Sequence, residues 1–265
     1  MYFNFLIFML LVFDVGNTNI SVAVCNGDKI IHKWRIVTSN IENYEDLNII
    51  MSELFKMEHI ELSIISNAIM SSVVLGIDEI ISEFCFKKNI KLMKLCDNNL
   101  NINFDSVVPN WKGYIGEDII CNIVAGKKKF KENFIIIDMG TAITFDIAGK
   151  NGLHIGEVIV PDINIALKSM TKNCSLLGNE SNKFKYQDFV IGRNTEEAIN
   201  GGLFFGYIGL IRNIVEKIKE EYGKEMKACL TGGISNIFLH HLNFVNEVDK
   251  NLTIKGLIEI WKDNV

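Results

Sequence analysis

At 265 residues the chain is long enough for one large domain or two of ordinary size. Its 48% hydrophobic and 10% aromatic content argues against disorder, and a net charge of −5 gives no electrostatic reason to expect nucleic acid or an anionic membrane. Six scattered cysteines, with no Cys-x-x-Cys and no histidine at zinc spacing, read as small core hydrophobes of a reducing cytoplasm.

The start, Met1 to Phe13, is almost wholly apolar, yet it is too short to span a bilayer and lacks a basic segment ahead of it. It runs directly into Asp14, so its second half is a core strand beginning near Met9, with residues 1–8 as an extension. Strands are predicted at 10–14, 20–25, 29–37 and 62–66, and helices at 43–57, 74–87 and 117–128. The run Lys127-Lys128-Lys129 then reads as a solvated helix end or turn. Strands at 134–138, 143–148 and 153–160 follow, then helices at 162–172, 195–222 and 234–242, with a strand at 227–231.

One pattern occurs twice. Leu10 to Phe13 leads into Asp14-Val15-Gly16-Asn17-Thr18, and Phe134 to Ile137 leads into Asp138-Met139-Gly140-Thr141. Each is followed by a second strand and a turn signal, at Asn26-Gly27-Asp28 and at Gly149-Lys150-Asn151-Gly152. A strand ending in an acid, a glycine that lets backbone N–H groups approach an anion, and a hairpin behind it suit a nucleotide phosphate with its metal. The repetition points to a duplicated domain with a nucleotide between the halves.

The helix predicted at 195–222 opens on a capping candidate, Asn194, with acids in its first turn. Gly201, Gly202, Gly206 and Gly209 each cost such a helix about 1 kcal/mol against alanine. Their close spacing implies that another backbone approaches, and a contact between subunits is one explanation.

Asp14-Val15-Gly16-Asn17-Thr18, Gly116-Glu117-Asp118, Asp138 to Asp146, Ile191 to Thr195, Leu230-Thr231-Gly232-Gly233 and the ending Asn251 to Gly256-Leu257 occur in this order. Together they resemble the motif series of the type III pantothenate kinases, members of the acetate and sugar kinase/Hsp70/actin superfamily. The resemblance implies an α/β fold of two duplicated ribonuclease H-like, actin-like ATPase domains, at 9–118 and 119–265, with a nucleotide cleft between them. It implies ATP, Mg²⁺, a monovalent cation (K⁺ or NH₄⁺) and pantothenate as ligands, a homodimer, and a cytoplasmic location. It assigns ATP contacts to Asp14, Val15, Gly16, Asn17, Thr18, Asn19, Ile20, Ser21, Gly140, Thr141, Gly232 and Gly233. Asp14 also takes Mg²⁺ and Asp138 the monovalent cation. Asp118 aligns with the proton acceptor, and Gly116, Glu117, Asp118, Ile119 and Thr195 with the acceptor-binding set.

The acceptor side departs from that pattern. Ile119 and Pro109 stand where the family usually has arginine and tyrosine, and Glu117, Glu157 and Asp162 add acids to the same motifs. An anionic substrate without a facing guanidinium binds less well. Three readings stay open on the residues alone: a pantothenate kinase with a weakened pocket, a kinase of another small alcohol, and a nucleotide-binding regulatory paralogue. Asp146 reads as a cap or a structural partner.

Overall fold

The computed structural model describes residues 9–96, 100, 115–174, 177 and 183–265. Residues 1–8, expected as an extension, and Pro109, expected at the family's tyrosine position, lie outside them. Contacts divide the chain into two compact units, residues 1–125 with 251–265 and residues 126–250.

Unit 1 is built on a five-stranded sheet in the order β3-β2-β1-β4-β5. Its strands are β1 (Met9–Val15), β2 (Asn19–Asn26), β3 (Lys29–Val37), β4 (Ile65–Ser72) and β5 (Lys91–Lys94). The first three form an antiparallel meander, and β4 and β5 then run parallel to β1. Helix α1 (Tyr44–Met57) is closed by a capping box, in which Asn43 accepts from the Asp46 N–H and Asp46 accepts from the Asn43 N–H. With α2 (Ile77–Lys87) it covers one sheet face, where Leu47, Met51, Ile81 and Phe84 meet Leu11, Phe13 and Val22.

The other face of that sheet holds Leu10, Val12, Ala23 and Ile69. Helix α3 (Glu117–Lys129), through Ile120 and Cys121, and α7 (Leu252–Lys262), through Ile254, Leu257 and Ile258, belong to this cluster. A side chain at Gly256 would strike the Cys121 backbone carbonyl, so glycine there lets α7 lie directly on α3. Thr253 also donates to the Asn122 side chain at 3.0 Å. These contacts place α7 in unit 1, although the sequence reading had grouped it with the second half.

Unit 2 repeats the design. Its strands are β6 (Phe134–Met139), β7 (Ala142–Ala148), β8 (His154–Pro161), β9 (Lys227–Thr231) and β10 (Glu247–Val248), with sheet order β10-β9-β6-β7-β8. Read from β8, that order matches unit 1 strand for strand, and the parallel and antiparallel pairings match as well. Helices α4 (Ile163–Asn173), α5 (Thr195–Tyr222) and the short α6 (Ser235–Phe238) follow. Leu167, Phe204, Ile208, Ile211, Val215 and Phe238 pack with Ile137, Phe145 and Leu230 in this unit's core.

Several predicted elements differ in extent. The strand expected at 62–66 begins only at Ile65 and runs to Ser72, because Leu62–Ile64 makes a 3-10 turn. The helix expected at 234–242 ends at Phe238 and gives way to a 3-10 turn at Leu239–His241. Helix α5 is the one described helix long and apolar enough to cross a membrane, but its buried residues face this core, as a soluble core helix would.

Candidate functional site

Asp14 lies one residue from the end of β1. Its register partners are Ser21 on β2 and Ser71 on β4. The chain then turns through Gly16, where the Gly16 N–H donates to the Asn19 carbonyl at 3.0 Å. A Cβ at Gly16 would come within 3.1 Å of that same carbonyl oxygen, so the turn is tight. Asn17 and Thr18 are exposed at its tip. Val15 and Ile20, which the resemblance also assigned to ATP, are core residues, 1% and 0% exposed, and neither presents surface to a ligand.

Thr38 holds this turn in place, a role the sequence reading did not find. Its hydroxyl donates to the Gly16 carbonyl at 2.7 Å and its N–H to the Thr18 carbonyl at 3.0 Å, and the side chain is buried. A threonine just past a strand carries no spacing signal. Only the β2–β3 pairing, which sets Asn19 against Val37, brings it to the turn.

The first turn of α3 lies in the same unit. Gly116 precedes it, and any side chain there would strike the Asp118 carboxylate. The Ile119 N–H donates to Asp118 Oδ1 at 2.9 Å. Burial holds the Asp118 carboxyl above its ordinary range, with backbone hydrogen bonds opposing the shift in part. Glu117 points elsewhere and accepts from the Ser72 N–H at 2.8 Å. Ile119 is only 8% exposed. The Cys121 thiol is pushed up, first by its burial and then by the charges of Asp14, Asp118 and Glu117.

In unit 2 Asp138 takes the position of Asp14, with Thr144 on β7 and Thr231 on β9 as register partners in place of Ser21 and Ser71. Gly140 and Thr141 form the exposed turn that follows. Gly232, at the end of β9, has φ +91° and lies against the Met139 backbone, so a side chain there would be both strained and obstructed. Asp138, Gly140, Gly232 and exposed Gly233 thus gather at one end of this sheet. Thr195 is the exposed first residue of α5, capped by Asn194, which accepts from the Glu197 N–H at 2.9 Å.

Of the other acids in the departing motifs, Asp162 caps α4 by accepting from the Ile165 N–H at 2.7 Å. Glu157 sits on β8 directly opposite Asp146. A cavity of about 580 Å³ opens beside α1 and α2, but Glu42, Glu45, Glu79 and Glu83 line it and none of the predicted site residues does. An acid-lined groove repels phosphate.

Two sheets of one topology, each ending its central strand in Asp-x-Gly, define the actin-like ATPase and sugar kinase class. The fold of MreB5 of Spiroplasma citri bound to ADP is similar, with a TM-score of 0.52 at 11% identity over 97% of each chain. So is ethanolamine utilization protein EutJ from Carboxydothermus hydrogenoformans, with a TM-score of 0.54 at 12% identity over 94% of this chain and 88% of that one. Within the class, the sequence model of type III pantothenate kinases matches residues 10–217. The type III pantothenate kinase of Paramagnetospirillum magneticum is 34% identical over 97% of this chain and 98% of its own. That of Geotalea daltonii is 31% identical over 97% and 99%. The chain belongs to the type III pantothenate kinase family.

Proposed function

We propose that this chain transfers the γ-phosphoryl group of ATP to the primary hydroxyl of pantothenate, giving ADP and 4′-phosphopantothenate, the first step of coenzyme A biosynthesis. The observation that carries the reading is the Ser72–Glu117 hydrogen bond, which ties the first turn of α3, where Asp118 lies, to the strand end that carries Asp14. Family membership supplies the acceptor.

The N–H groups at the Asn17-Thr18 tip, beyond the internally bonded Gly16 N–H, and those of the Gly140–Thr141 turn bind phosphate oxygens. The tight geometry at Gly16 and the lack of any Cβ there suit close approach of an anion. Carboxylate oxygens at the strand ends fit hard cations. Asp14 holds Mg²⁺, directly or through water, and Asp138 holds a monovalent cation, K⁺ or NH₄⁺. When bound, these ions neutralise phosphate charge. Asp118 accepts the hydroxyl proton as the pantothenate oxygen bonds to the γ-phosphorus and the bond to the β,γ-bridging oxygen breaks. A carboxyl of raised pKa is the better base for this step. Gly232 and Gly233 pass close to the adenosine, and Thr195 contacts pantothenate.

Two of the three acids counted against an anionic acceptor have local partners. Glu117 is bound to the Ser72 N–H and Asp162 caps α4. This supports pantothenate over a substrate that tolerates acids.

We infer a cytoplasmic homodimer as well. Gly201 faces the Val190 carbonyl within its own chain, which corrects the reading of all four glycines as a subunit contact. Gly202, Gly206 and Gly209 are exposed and meet nothing within 4 Å among the described residues, which leaves room for the backbone of a second copy.

The test is ADP release with and without pantothenate in potassium buffer. Pantothenate-dependent ADP formation, abolished when sodium replaces potassium, is expected. ADP release indifferent to pantothenate would overturn the reading.

A further inference from the structure

Asp146, His154 and Glu157 offer one nitrogen and two oxygens, all within 4.8 Å of one another. The β7–β8 register builds this cluster. Asp146 and Glu157 are directly opposed, so their side chains leave the same sheet face. His154 joins them through a bulge: the pairing passes from Ile147–Gly156 to Ala148–His154, and the extra residue, Ile155, shifts the imidazole onto the Asp146 face. Asp146 is wholly buried, His154 is 4% exposed and Glu157 is half-buried, which leaves an approach from the glutamate side.

We propose that Asp146, His154 and Glu157 bind one divalent transition cation of the zinc class on the β7–β8 hairpin.

Ligands around such an ion stand about 2.0–2.2 Å from it. A tetrahedral arrangement then separates them by roughly 3.3 Å, so small side-chain rotations close the cluster. The charges agree: one imidazolium balances a single carboxylate, whereas a divalent ion balances both. Mixed imidazole and carboxylate donors select zinc, manganese or iron over magnesium, which prefers oxygen alone. The Thr144 hydroxyl donates to Asp146 Oδ2 at 3.1 Å and fixes the plane of that carboxylate, the kind of outer support that metal ligands have.

The duplicated sheet provides an internal comparison. Unit 1 carries the same bulge between Val24 and Cys25, but its corresponding positions are Ala23, Lys33 and Ile30. The fold is complete there without a polar cluster, so the three ligands of unit 2 are an addition to the scaffold and no requirement of it. The site is also distinct from that of Asp138, whose register partner is Thr144, one same-face position along β7.

The experiment titrates the metal-free full chain, its exposed Cys96 and Cys174 alkylated, with ZnCl₂ by calorimetry and with CoCl₂ by visible absorbance, in the absence of nucleotide. One ion per chain is expected, with cobalt d–d bands and no competition from MgCl₂. His154→Gln and Glu157→Gln should each weaken binding at least ~10-fold. Should both variants fail to fold, the wild-type imidazole resonance of His154 decides, because zinc must shift it. Wild-type protein that takes up no ion, unaltered affinity in both folded variants, or an unmoved His154 resonance overturns the proposal.

Discussion

The Ser72 N–H donates to Glu117 Oε2 across 2.8 Å, joining the end of β4 to the first turn of α3. Ser72 is also the register partner of Val15, next to Asp14. One hydrogen bond therefore links the strand-end acid to the helix turn that carries Asp118. Glu117→Ala should cost about 1.5–3 kcal/mol, the range for a hydrogen bond to a charged group. Glu117→Gln, which keeps an acceptor, should cost less. Urea denaturation of the two variants measures this, and equal stability in both would deny the bond any weight.

Asp14→Asn and Asp138→Asn should each abolish phosphoryl transfer and leave the circular dichroism spectrum intact. The amide keeps the shape of the carboxylate and loses the charge that holds a cation. Near-wild-type turnover in either variant at saturating Mg²⁺ and K⁺ would remove that residue from the site.

Asp118→Ala should lower kcat by about 10²–10⁴, the usual contribution of a general base, with little change in the KM for ATP. The wild-type rate should fall with falling pH through a value above the ordinary carboxylate range, because the raised pKa keeps the proton on Asp118. The stability effect has the opposite sense. The folded state holds this proton more tightly than the unfolded state does, so ionised Asp118 costs stability, and that cost grows as pH rises through the folded pKa. Asp118→Asn should therefore melt no lower than wild type at neutral pH. A fall of several degrees would show a structural need for the charge.

Ile119→Arg tests the departing acceptor motif. The sequence pattern alone suggests that restoring arginine tightens pantothenate binding. Ile119 is 8% exposed, however, so a guanidinium here displaces a packed apolar chain. The expected outcome is a loss of about 1–3 kcal/mol, typical of overpacking, with an unimproved KM for pantothenate. A tenfold lower KM would return this position to the substrate.

Gly206→Leu should weaken dimerisation without unfolding the chain, since a Cβ at Gly206 meets nothing within 4 Å among the described residues. Sedimentation at micromolar concentration reads this. Wild-type protein that runs as a monomer there would end the subunit-contact reading.

The duplicated plan was legible because both copies write it in local signals: an apolar run, Asp-x-Gly, and a turn at Gly27 or Gly149. The boundaries of β3, α5 and β9 agree with the expected ranges for the same reason. Two short strands, β5 and β10, were not expected, because four and two residues are too few to show alternation. Helix α7 lies outside the predicted elements although Ile254, Leu257 and Ile258 have helical spacing. The cluster of Asp146, His154 and Glu157 was illegible for a different cause. No spacing along the chain announces it, and it exists only once the hairpin register and its bulge are set. Thr38 and the Glu117–Ser72 bond likewise depend on strand pairing.

The discontinuity of unit 1 sets an order for folding. During synthesis residues 126–250 emerge as one uninterrupted stretch and can close their own core, since domains generally fold as units. The sheet that carries Asp14 emerges earlier, yet one of its faces, covered in part by α3, is completed only when Ile254, Leu257 and Ile258 leave the ribosome. The half of the protein translated first is thus the half completed last, and Leu10, Val12 and Ile69 remain only partly covered in the interval.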